Sequence, residues 1–160
     1  MRKMQAPSRR RQGGVMLLEV LIGILIFSIG ILAMLGMQAI GMRNTVEAKY
    51  RAEASYLANQ IVGTMWVDRA NPAGSLCVRY DDSGTGAATN TSRTDWVNVV
   101  QQRLPQAATY TPSIVVTSGN CAKGAQVTVT VRWLRPGEDP GTGNVNVSRH
   151  VVIAQINGVD

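Results

Sequence analysis

The chain has 160 residues, 45% of them hydrophobic and only 16% charged, which is room for one modest core and not for several. Its net charge of +6 is unevenly placed: residues 1–14 hold Arg2, Lys3, Arg9, Arg10 and Arg11 with no acid, and the rest carries eleven basic against ten acidic side chains. Fold-wide basicity is therefore excluded, and the cations read as a short cytoplasmic address in front of a membrane segment.

From Val15 to Met42 the chain reads VMLLEVLIGILIFSIGILAMLGMQAIGM, and Glu19 is its only ionisable side chain before Arg43. The 23 residues from Val20 to Met42 would rise roughly 35 Å as a helix at about 1.5 Å each, enough to cross a hydrocarbon layer of about 30 Å. One span is expected, with the basic leader in the cytoplasm and residues 43 onward on the far side. A cleavable secretory signal also starts basic and apolar, but its core is about 7 to 15 residues long with an A-x-A-like exit. This run is longer and has no such exit. A lipoprotein signal would need a cysteine at the cut, and the two cysteines are Cys77 and Cys121.

After Arg43 the apolar positions Val46, Tyr50, Leu57, Ile61 and Met65 recur near helical spacing, and no proline interrupts before Pro72. A single helix is predicted from about residue 15 to 69, hydrophobic all round in its first half and amphipathic in its second. Trp66 is expected to anchor it against a sheet. The polar stretch Asp81–Arg93 reads as a loop. Its Asp81 and Asp82 lack the oxygen-ligand spacing of a calcium loop and read as a solvated turn.

Thr94–Leu104 reads as a short helix ended by Pro105. Strands are predicted at about 113–118, 125–134 and 145–156. The middle one alternates, with Val127, Val129, Val131 and Trp133 on one side and Thr128, Thr130 and Arg132 on the other. The Arg135–Gly141 segment, rich in Pro and Gly, permits an antiparallel return. The fold class is thus α+β, a long N-terminal helix packed on a small antiparallel sheet that covers its amphipathic half. The corresponding parts are a leader, 1–14, a membrane helix, 15–42, its amphipathic continuation, 43–70, and a globular head, 71–160.

Cys77 and Cys121 both follow the span, in a space the topology makes extracytoplasmic and oxidising, so they are expected to pair. Closing a loop of about 44 residues would contribute roughly 4 kcal/mol on the chain-entropy estimate. The single histidine, His150, lies among strand residues with no nucleophile motif beside it. No phosphate-cradling loop, zinc spacing or carboxylate pair is present, so neither an enzyme nor a metal or cofactor is expected. The methionines read as packing residues.

The residues Gly14-Val15-Met16-Leu17-Leu18-Glu19 behind the basic leader resemble the class III signal of type IV pilins and type II secretion pseudopilins. The string from Ser28 to Gln38 looks most like PilV-type minor pilins. The usual Phe or Met at the first mature position is here Val15, and Gly36 stands where major pilins commonly carry a proline. The resemblance implies cleavage after Gly14 and N-methylation of Val15 by a prepilin peptidase. It also implies a pilin-like fold, and Glu19 as the assembly residue pairing with the N-terminus of a neighbouring copy.

The function so implied is that of a minor pilin, a structural subunit taking part in pilus assembly and in surface properties such as adhesion or motility. Its partners would be other minor and major pilins and an inner-membrane assembly platform. Its location would be the inner membrane with a periplasmic C-terminal domain, and then the extracellular pilus. A type II secretion pseudopilin is the alternative from the same signal. A DNA-binding pilin using Arg79, Arg93, Arg103, Arg132, Arg135 and Arg149 is disfavoured, because acids balance these charges and no stacking aromatics interleave them.

Overall fold

The structure, a computed structural model, describes residues 13–70, 76–82, 90–120, 124–140 and 145–157. Along the chain these form α1 (Gly13–Asp68), α2 (Leu76–Tyr80), α3 (Thr91–Arg103), β1 (Ser113–Asn120), β2 (Gly124–Leu134) and β3 (Val147–Asn157). The strands make one antiparallel sheet in the order β1-β2-β3, and the fold is α+β. Two units divide it, Met1–Met42 and Arg43–Asp160.

In the first unit, α1 keeps every residue from Val15 to Met42 exposed. It is long and apolar enough to cross a membrane. The hydroxyl of Ser28 donates to the Ile24 carbonyl at 2.7 Å, which settles a polar group inside an apolar segment.

In the second unit, the remainder of α1 buries Ala54, Leu57, Ala58, Ile61 and Met65. Their three- and four-residue spacing puts them on one face. Val46 and Tyr50, expected on the same stripe, are only half-buried. The facing surface is the one anticipated for β2: Val127, Val129, Val131 and Trp133 are fully buried in one cluster with Ile114 of β1 and Ile156 of β3. Val129 stands opposite Ile114 on one side and Val152 on the other, so apolar side chains line up across all three strands.

Three expectations are corrected. The helix predicted from Thr94 begins at Thr91, because the side chain of Asn90 accepts the Arg93 N–H at 3.4 Å and caps the first turn. Leu104 ends that helix in an extended conformation, as the residue before Pro105 must. Trp66 is not the anchor, being 37% exposed with the Arg69 guanidinium 5.0 Å from its ring centre. The anchoring indoles are Trp133 and Trp96, and Trp96 donates to the Leu57 carbonyl of α1 at 2.8 Å.

Asp81 and Asp82 form no mere solvated turn. The Asp82 carboxylate accepts the Ile114 N–H at 2.8 Å, and the Asp82 N–H donates back to the Ile114 carbonyl at 3.0 Å. Asp81 accepts the Val116 N–H at 3.0 Å. Two carboxylates thus occupy the donor groups of the sheet's β1 edge, where another strand would otherwise add. The remainder of the predicted loop, residues 83–89, lies outside the described residues.

The end of α1 holds α2 through Asp68, whose carboxylate accepts from Arg79 at 3.0 Å and from the Tyr80 hydroxyl. Burial, with the Asp68 hydrogen bond beside it, pushes the Tyr80 phenol up to about 12. A raised folded value favours the protonated phenol, so this contribution is intact below the ordinary tyrosine range near 10 and fades as pH climbs through about 12. Ultraviolet titration of the folded chain should show one late-ionising phenol among its four tyrosines, absent from Tyr80→Phe. Leu57→Ala should cost about 2–5 kcal/mol of unfolding free energy in urea melts, since its side chain is fully buried in the core cluster.

Candidate functional site

Gly13 opens α1, so the Gly14–Val15 bond lies in the helix's first turn. Val15 is 70% exposed, and Glu19 follows one turn later on the same face, also exposed. Among the described residues no cation pairs with the Glu19 carboxylate. The structure therefore brings Val15 and Glu19 together on an apolar, uncovered stretch of helix. A carboxylate so placed costs about 2.5–3.5 kcal/mol at mid-bilayer on insertion scales, less near an interface.

Cys77 is the second residue of α2. Cys121, its expected partner, lies outside the described residues. His150 sits half-buried on β3 opposite Val131. Among the described residues no group of three or more His, Cys, Asp or Glu side chains converges as a metal site would.

Sequence reasoning missed a second acidic centre. Glu47, on α1 in the second unit, accepts from Ser148 of β3 at 2.7 Å, from the Trp133 indole of β2 at 3.2 Å and from Arg51 at 3.5 Å. Ser148 in turn accepts from Arg135 at 2.9 Å. One carboxylate thereby ties the helix to two strands through side chains 86 and 101 residues away in the chain. The available signals were the Arg43-Glu47-Arg51 spacing, which aligns three charges on one helix face, and the need of a buried indole for an acceptor.

Burial pushes the Glu47 carboxyl up, but the donors from Ser148, Trp133 and Arg51, with the nearby charge of Arg135, outweigh it. The net effect holds Glu47 below the usual glutamate value.

Comparison of the chain with protein-family models, with curated proteins and with solved structures gives no match.

A depressed folded pKa means that Glu47 stabilises the fold above its unfolded value, and that this contribution is lost as pH falls through the folded one. Glu47→Gln should therefore lower the urea midpoint at neutral pH. The gap from the unsubstituted chain should close in acid, read by tryptophan fluorescence at the two pH values.

Proposed function

We infer that this chain is a minor pilin, a non-enzymatic structural subunit that enters a type IV pilus through its first helix. The observation that carries the reading is Glu19: an exposed carboxylate one turn after Val15, directly behind Gly14, on a helix stretch whose apolar residues are all uncovered. A helix with 28 consecutive exposed residues from Val15 to Met42 needs lipid or other helices around it. Inside a packed bundle from which water is excluded, an ionised carboxylate needs hydrogen-bond donors or a positive group beside it. Cleavage after Gly14 supplies one, the secondary amine of N-methyl-Val15 on a neighbouring copy.

On this reading a prepilin peptidase processes the chain at the cytoplasmic face of the inner membrane. Residues beyond the span reside in the periplasm until an assembly platform passes the subunit into a filament with other minor and major pilins. The oxidising compartment would close Cys77 to Cys121. Assembly initiation and surface properties such as adhesion or motility are the corresponding roles.

Intact mass of the chain purified from cells with an active prepilin peptidase tests this. The expected species starts at Val15, carries one added methyl and is two hydrogens lighter than the dithiol. An intact leader would overturn the processing reading. Glu19→Val should still insert and be cut, but should lose co-purification with other pilins. Recovery with secretion-system components instead would assign the chain to a type II pseudopilus.

A further inference from the structure

Arg43 is the first residue after the apolar run, and positions 43, 47 and 51 share one face of α1. Beside that face stands the turn that follows β2. The Glu138 N–H donates to the Arg135 carbonyl at 3.2 Å, Pro136 holds the second position and Gly137 the third with φ +87°. That is the type II pattern, and its third position requires glycine. Gly137 also makes room for Arg43, whose Cζ lies 3.4 Å from where a Cβ would stand.

Between helix and turn lies a cavity of about 300 Å³ lined by Arg43, Asn44, Glu47, Arg51, Arg135 and Pro136. Three arginines and one carboxylate, Glu47, line it, and of the three Arg51 contacts that carboxylate. Both oxygens of that carboxylate are already engaged, Oε1 by Ser148 and Arg51 and Oε2 by Trp133. The wall thus carries positive charge in excess, on side chains whose planar forks match phosphate oxygens.

We propose that this cavity seats the phosphodiester of an anionic phospholipid headgroup on the far leaflet of the membrane. The assignment rests on the spanning reading of residues 15–42. A free phosphate ion would need no particular height along the helix, whereas a headgroup does. Each headgroup layer adds about 5–7 Å beyond the hydrocarbon. Arg43 directly follows the last apolar residue and therefore falls within that layer, and although the Arg51 backbone stands about 12 Å further along the axis, beyond the layer, its side chain lines the same cavity. The turn brings Arg135 to the wall that Arg43 lines. Bound there, a headgroup fixes the height of the head on the membrane, and extraction of the subunit empties the site.

The test uses the full-length chain in zwitterionic detergent micelles, titrated with phosphatidylglycerol and read by native mass spectrometry for retained lipid. An arginine at an anionic surface is worth about fivefold in affinity. Arg43→Gln should weaken retention about fivefold, and Arg43→Gln with Arg135→Gln about 25-fold. Arg103→Gln, which removes the same charge from a side chain paired with Glu53, should leave retention unchanged.

Because Arg135 also bonds Ser148, Arg43→Gln with Arg51→Gln serves as a second double variant, each checked for native tryptophan dichroism. Equal retention by wild type and a folded double variant overturns the proposal. Displacement of the lipid from wild type by millimolar inorganic phosphate makes the occupant a free anion and overturns it too. Carbonate washing of membranes separates the two readings. A wild-type chain that washes off refutes the span, and one that stays but ignores phosphatidylglycerol refutes the cavity assignment alone.

Discussion

The sheet has one apolar face, and the second half of α1 is what closes it. Val127, Val129, Val131 and Trp133 on β2 are fully buried, as are Ala54, Leu57, Ala58, Ile61 and Met65 on the helix. Neither surface is stable in water alone, because a three-strand sheet with an open apolar face and an amphipathic helix with an open stripe both leave too much hydrocarbon hydrated. Helix α3 completes the enclosure with Trp96 and Val100.

Apolar burial does not by itself choose the register between helix and sheet; directional contacts at separate points do. Trp96 donates to the Leu57 carbonyl, Trp133 and Ser148 converge on Glu47, and Arg79 and Tyr80 converge on Asp68. Each places a donor on one element against an acceptor on another, and each would be left unpaired by a shift of one helical turn. Asp81 and Asp82 do the corresponding work at the sheet's edge, where they occupy N–H groups of β1. The polar groups thus define the arrangement that the apolar groups make favourable.

Periodicity made the repetitive parts legible. The alternation of β2 located its buried face residue by residue, and the helical spacing of Leu57, Ile61 and Met65 located the stripe. What stayed hidden depended on contacts between distant residues. Nothing local distinguishes Trp66 from Trp96 as an anchor, and only the fold shows that Trp96 meets a backbone carbonyl while Trp66 faces out. The start of α3 is not legible because Asn90 sits inside a polar run, and only the fold shows its side chain accepting the N–H three residues on as a cap. Asp81 and Asp82 looked solvated because their acceptors' partners lie 35 and 32 residues downstream. At the candidate site, Gly14, Val15 and Glu19 were legible because they are sequential. Glu47 was not, because its partners come from two strands.

Two carboxylates on the same helix illustrate what a buried or lipid-bound charge requires. Glu47 is surrounded by an indole N–H, a hydroxyl and a guanidinium from its own chain, and these donors outweigh the effect of burial on its acidity. Glu19 stands 28 residues earlier among Leu18, Val20 and Ile22, with no ion pair among the described residues. Solvent can satisfy such a group in an extended, water-exposed helix, but hydrocarbon cannot. Among the described residues nothing covers the apolar stretch around it, and an apolar surface of that extent in water marks a contact with lipid or with another protein. On the proposed pilin reading, the cover and a partner for Glu19 come from the same source. On that reading neighbouring subunits of the same kind, each with a processed, positive terminus one turn before its own carboxylate, meet both needs with one contact.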